Sequence, residues 1–234
     1  MAFERTQPEQ YRGMMAIQVS SAERMAFIRK VYSLFSLALV LFAGTTWWAC
    51  QSEFALRLIM PLLGGGILKF LLLMLLMFGM LRLAMNRFPI NIFALGAFAF
   101  FMGLMTGPLV TMALAQGGVE VVAQAAVLTT VVFGGLTLYA LTSKTDFSFL
   151  RAGLWIGFSI LIGFLLLGWL FGFNTGGWGV SAGFVLLMSG FVLYDTSNIM
   201  RRYPTTAAVP AAIALFLDFV IMFQHILRLL SRRD

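Results

Sequence analysis

The chain has 234 residues, 61% of them hydrophobic and 11% charged. Soluble domains carry nearer one-quarter charged residues, so this composition indicates an integral membrane protein and leaves no room for a soluble domain. The net charge of +7 is spread over loops and tails, which argues against nucleic-acid binding, and the lone Cys50 rules out a disulfide framework, a cysteine metal site or a redox pair.

Residues 1–30 have no early apolar core and no small-residue cleavage site, so they read as a cytoplasmic tail rather than a removable signal. The first crossing then serves as an uncleaved anchor. A bilayer crossing needs roughly 20 apolar residues. Seven such stretches follow in order, at about 31–50, 62–85, 91–112, 121–142, 149–171, 177–198 and 207–230. Breakers separate them at Asn86 to Pro89, at Gln116-Gly117-Gly118, at Asn174 to Gly177 and at Arg201 to Pro204. Open sheets are excluded, because lipid cannot satisfy a bare strand edge. The expected class is therefore all-α integral membrane: a tail of 1–30, a seven-helix membrane domain of 31–230 and a short tail of 231–234.

Basic residues in short loops set orientation. The N-terminal tail carries Arg5, Arg12, Arg24, Arg29 and Lys30, and Arg82, Arg87, Lys144, Arg151, Arg201 and Arg202 fall in loops on the same face. The N-terminus is expected to be cytoplasmic. Seven crossings then place Arg228, Arg232 and Arg233 outside, against the rule, and a re-entrant last segment is the alternative. The length of that segment favours a full crossing.

Gly103/Gly107, Gly153/Gly157, Gly168/Gly172 and Gly179/Gly183 have the small-xxx-small spacing that lets helices approach closely. Packing within one bundle is the simpler reading, and dimerisation the other. Gly107-Pro108 is expected to kink or locally unwind the third segment.

The chemistry concentrates in two acids. Asp195 and Asp218 lie inside the last two apolar stretches, whereas Glu4, Glu9, Glu23, Glu53, Glu120, Asp146 and Asp234 fall in tails, loops or segment ends. A carboxylate in hydrocarbon costs several kcal/mol, so it usually meets a partner or a water path. At 1.5 Å per residue, Asp195 lies roughly 10 Å and Asp218 roughly 17 Å from the cytoplasmic face. If neighbouring helices bring them together, they share one proton rather than both ionise. Protonated, the pair ties the last two helices; deprotonated, the carboxylates repel and attract a cation. The alternative is that each aspartate separately caps a backbone group or pairs with an arginine. Arg82 either reaches back to the pair or snorkels to the interface. His225, two turns after Asp218, shares its face as a relay or simply packs. Tyr194 and Asn198 flank Asp195 and are candidates to orient it.

The stretches Gly103 to Pro108 (GLMTGP), Leu138 to Phe149 (LYALTSKTDFSF), Leu193 to Ile199 (LYDTSNI) and Leu215 to Phe223 (LFLDFVIMF) together resemble the Bax inhibitor family, the transmembrane Bax inhibitor motif proteins. The resemblance spans nearly the whole chain. It implies a bundle around a central seventh helix and a pH-gated calcium leak in which two aspartates match Asp195 and Asp218. It also implies a second-helix arginine latch near Arg82 or Arg87. The Thr-Ser-Asn-Ile run resembles the bacterial branch that modulates the FtsH-type membrane protease, which implies residence in the bacterial inner membrane.

Three functions compete. The first is a pH-sensitive cation leak, with calcium as permeant ion and Asp195 and Asp218 as its transient contacts; no resident cofactor or metal is expected. The second is a non-conducting regulator of an FtsH-type protease, held through the tail. The third is an intramembrane aspartyl protease, since Tyr194-Asp195 followed by Asp218 resembles the presenilin arrangement. Asp218 lacks the preceding Gly-x-Gly of such enzymes, so a non-enzyme is expected. The lipid bilayer is the expected surrounding, and oligomeric state is left open.

Overall fold

The computed structural model describes residues 15–63, 72, 75, 77, 79, 81 and 89–231. Its helices are α1 (Ser21–Gln51), α2 (Glu53–Leu63), α3 (Ile90–Thr142), α4 (Leu150–Phe171), α5 (Trp178–Arg201) and α6 (Ala208–Ser231). A 3-10 turn, Phe147–Phe149, leads into α4. All of these except α2 are long and apolar enough to cross a membrane. The outward faces are as apolar as the interior: Val40 is 71%, Phe93 74% and Leu186 75% exposed. Water would not tolerate such a surface, whereas lipid favours it.

α1 begins ten residues before the expected 31. Ser20 caps it through a reciprocal box with Glu23, and Phe27 joins the core one turn before Val31. A reading keyed to an unbroken apolar run misses these polar first turns. The short α2 occupies residues expected to be loop, and the predicted segment 62–85 lies mostly outside the described residues.

α3 is two arms joined at Gly118, where φ is 69° and ψ −171°. Only glycine takes that backbone cheaply. The helix contacts show that the chain reverses there. On the first arm, Gly96 meets Leu41, Gly103 meets Phe42 and Gly107 meets Ala49, so it runs parallel to α1. On the second arm, Phe133 stacks on Phe35, while Val122 and Ala126 share an apolar hollow with Ala43 and Trp47, so it runs antiparallel. By the same reasoning α4 opposes α5 (Leu154 to Gly190, Leu161 to Gly183) and α5 opposes α6 (Phe184 to His225). α6 therefore runs in the direction of α1, as Phe35 to Phe219 and Phe42 to Phe223 also show. The start of α1 and the end of α6 are at opposite ends of the bundle. With 24 residues, α6 is a full-length helix of roughly 36 Å, not a re-entrant stub.

The backbone stays helical through Gly107 and Pro108, contrary to the expected unwinding; Gly118 is the position inside α3 with non-helical angles. Close packing on α1 accounts for this. A Cβ at Gly103 would lie 2.8 Å from the Phe42 carbonyl oxygen, and one at Gly107 2.7 Å from the Ala49 Cβ. These glycines serve packing within the bundle. Gly107→Leu should therefore force α3 off α1 and cost about 1–3 kcal/mol, read as a lowered thermal midpoint in detergent; an unchanged midpoint would show the contact to be slack.

The tail end of the bundle, where α1 begins, is tied by polar contacts. The Ala16 N–H donates to the Tyr203 carbonyl at 2.9 Å, with Met15 bridging Pro204. Arg201 donates to the Lys144 carbonyl at 2.9 Å, and Arg202 pairs with Asp146 at 3.0 Å and Ser148 at 2.8 Å. The Ser148 backbone N–H, and secondarily Arg202, hold the Asp146 carboxyl below the usual carboxylate range. The Phe147 N–H donates to Ser197 Oγ at 3.2 Å. The 143–149 connection is thus docked onto the end of α5.

Candidate functional site

α6 is the most enclosed of the spanning helices, with 56% of its most apolar window buried against 11% in α4. It packs against α1, α3 and α5. Phe216, fully buried, meets Phe42 and Phe98 edge-on at 5.8 and 5.9 Å. One turn of α6 also carries Asp218, 5% exposed, toward α5.

Asp195 and Asp218 come together. Their side chains lie within hydrogen-bonding reach of each other. Such a contact between two carboxyl groups requires a proton on one of them. The Asp218 Oδ2 takes no N–H or hydroxyl donor. Among the described residues neither aspartate has an ion-pair partner. Arg82 and Arg87 lie outside the described residues.

The expected supporting residues divide. His225 is buried, stacks on Phe184 at 4.2 Å and leaves Nδ1 without a partner. It lines the same cleft as Asp218 but makes no hydrogen bond to it. Asn198 and Tyr194 flank Asp195 without hydrogen-bonding its side chain. Instead the Asn198 carbonyl accepts from Arg202 N–H at 2.7 Å and Tyr203 N–H at 3.0 Å, closing the end of α5. Both residues line the hollow at the end of α5 together with Asp195.

Two hollows meet at Asp195. A cleft of about 530 Å³ runs between α4, α5 and α6 and includes Asp195, Asp218, Gln224 and His225. A hollow of about 490 Å³ at the tail end includes Asp195, Arg151, Asn198, Tyr194 and Tyr203. Sequence reasoning missed Tyr203, Arg151, Trp155 and the Gln224–Thr106 pair. Burial, with the Asp195 charge adding to it, pushes the Tyr203 phenol up. Gln224 Nε2 donates to Thr106 Oγ1 at 2.8 Å, joining α6 to α3 across 118 residues. An apolar stripe interrupted by one glutamine was the available signal, but nothing in the sequence names its partner. Among the described residues no cluster of three or more His, Cys, Asp or Glu side chains is placed to hold a metal ion.

A family profile described as "Inhibitor of apoptosis-promoting Bax1" matches residues 24–234. The chain belongs to this Bax inhibitor family. It is 37% identical to mouse Protein lifeguard 4 over 210 residues, covering 89% of this chain and 85% of that protein. It is 35% identical to a vaccinia virus Golgi anti-apoptotic protein over 218 residues, covering 89% and 86%. An uncharacterized protein of Campylobacter jejuni is 38% identical over 136 residues, 57% of this chain and 58% of that one. The chain is a multi-span membrane protein, with five helices among the described residues long and apolar enough to cross a bilayer.

Proposed function

We propose that the chain is a pH-sensitive cation leak, with calcium as the favoured ion, gated by the contact between Asp195 and Asp218. The observation that carries this reading is the meeting of two intramembrane carboxyl groups with no cation paired to either among the described residues. A shared proton holds α5 to α6; its loss sets two like charges against each other and exposes a cation-attracting site between two hollows. In this reading the bundle crosses the membrane seven times, the two arms of α3 counting as separate crossings and 62–85 supplying the second, with α6 at the centre. The tail end, rich in Arg and Lys, faces the cytoplasm of a bacterial inner membrane. Purified protein in liposomes, loaded with a calcium dye and assayed across pH, tests it: a flux indifferent to pH and to both aspartates would end this reading.

A second reading has its own observation. The segment Met15–Gln18 is strapped to the α5–α6 loop beside Asp195, so a partner that grips the tail pulls on that loop. In this reading the chain regulates an FtsH-type membrane protease, and conduction is not required. Removing residues 1–14 should abolish modulation and leave the thermal midpoint unchanged. Removing 1–20 should also delete the strap and the Ser20 cap and cost about 1–2 kcal/mol. Modulation that survives both truncations would eliminate the tail as the handle.

A further inference from the structure

The hollow at the tail end and the intramembrane cleft share Trp155, Phe191 and Asp195, so they form one continuous trough along α4 and α5. Its two ends differ in chemistry. On α4, Arg151, Trp155, Phe158 and Ile162 recur at helical spacing and line one face. On α5 the matching order is Asn198, Tyr194, Phe191, Met188 and Phe184. Both walls therefore pass from basic and polar at the tail end to aromatic and aliphatic inward, over an apolar floor from Leu217 and Ile221. From Arg151 to Ile162 the trough rises roughly 16 Å, at 1.5 Å per residue. That is about half the roughly 30 Å hydrocarbon thickness, the depth of one leaflet.

Of the two arginines that line the basic end, Arg151 is the one without a partner among the described residues. Arg201 is bound to the Lys144 and Thr145 carbonyls, and Arg202 to Asp146 and Ser148. Arg151 is exposed and has no ion pair or hydrogen bond among the described residues. One turn further in, Trp155 is 54% exposed, so the trough is reachable from the lipid side. Tryptophan at that depth suits the membrane interface.

We propose that this trough binds an anionic phospholipid of the tail-end leaflet, with its phosphate on Arg151 and one acyl chain laid inward along Trp155, Phe158 and Ile162. Charge complementarity selects the headgroup, and the polar-to-apolar gradient selects an amphiphile over a free anion. A chain lying there covers the Asp195 carboxyl from the lipid side and keeps water from the acid pair. The binding does not depend on the chain conducting ions.

The test uses the full chain in nanodiscs of phosphatidylcholine with a minor fraction of phosphatidylglycerol, one or the other carrying a dibrominated acyl chain. Bromine quenches tryptophan on contact, and Trp155→Phe isolates the Trp155 contribution. Brominated phosphatidylglycerol should quench that contribution at least about twofold more than brominated phosphatidylcholine at equal mole fraction. Arg151→Gln should remove the excess, Arg151→Lys should keep it, and Ile162→Phe, which fills the apolar end without changing charge or adding a fluorophore, should reduce it. Inorganic phosphate should not displace it. Equal quenching by the two lipids, an excess that survives Arg151→Gln, or displacement by phosphate alone would overturn the proposal. Thermal melting of each variant shows that the bundle is folded, and no flux is read, so failure here is separate from failure of the leak.

Discussion

Calcium flux through the wild-type protein should rise at least about tenfold between acid and mildly alkaline pH, and Asp195→Asn and Asp218→Asn should each flatten that response. The sign follows from the contact. At low pH the shared proton joins α5 to α6. As pH rises the proton leaves, and two negative charges remain at hydrogen-bonding range. At 4 Å and an effective dielectric constant of about 20, their repulsion is roughly 4 kcal/mol. A tenfold change in the open population needs only about 1.4 kcal/mol, so the repulsion is sufficient even after substantial screening. An asparagine keeps a donor facing the remaining carboxylate at every pH, so the helices stay joined and flux stays low. Alanine behaves differently: it removes the tie without adding a charge, and Asp218→Ala should leak at all pH values. Dye-loaded liposomes with a fixed calcium gradient distinguish these outcomes. A pH response that persists in both asparagine variants would place the sensor elsewhere.

Phe216→Ala should lower the thermal midpoint by about 5–10 °C, more than any other single truncation of α6. Phe216 is fully buried and joins Phe42 of α1 to Phe98 of α3 through edge-on ring contacts. In a soluble protein such a truncation costs about 3–5 kcal/mol, part of it lost transfer from water. A membrane helix released from its neighbours enters lipid rather than water, so that part falls away. What remains is the cavity, about 2–3 kcal/mol for a ring-sized void. For a chain of this size each kcal/mol shifts the midpoint by about 2–4 °C. Phe93→Ala on the lipid face, 74% exposed, is the control and should change little. A large loss at Phe93 with none at Phe216 would invert the assignment of interior and lipid faces.

The sequence was informative where one residue type has one physical use. Two acids in hydrocarbon need partners, which singles out Asp195 and Asp218, and the two line one cleft. Gly117-Gly118 stood out as a break between two bilayer-length runs, and Gly118 is where the chain turns back. Close-approach glycines were legible as a class, although spacing alone did not say that Gly103 and Gly107 face α1 while Gly153 and Gly179 meet no neighbour within 4 Å. Contacts that depend on helix rotation were not legible. Asn198 and Tyr194 sit beside Asp195 in sequence, yet their side chains make no hydrogen bond to it. Tyr203 lies eight residues away and borders the same hollow, because the chain turns over the end of α5. The start of α1 was missed because its signal is a polar cap, Ser20 with Glu23, and not an apolar run. Gln224 and Thr106 find each other only once three helices have assembled.

The burial of α6 has a consequence for biosynthesis. Synthesis proceeds from the N-terminus, so the most enclosed helix leaves the ribosome only after the helices that enclose it. Until it arrives, Phe42, Phe98 and Phe184 line an unfilled slot, and earlier helices must wait in lipid half-assembled. A nascent chain stalled or truncated before residue 208 would present that slot to quality-control machinery, and maturation would hinge on delivery of this 24-residue helix.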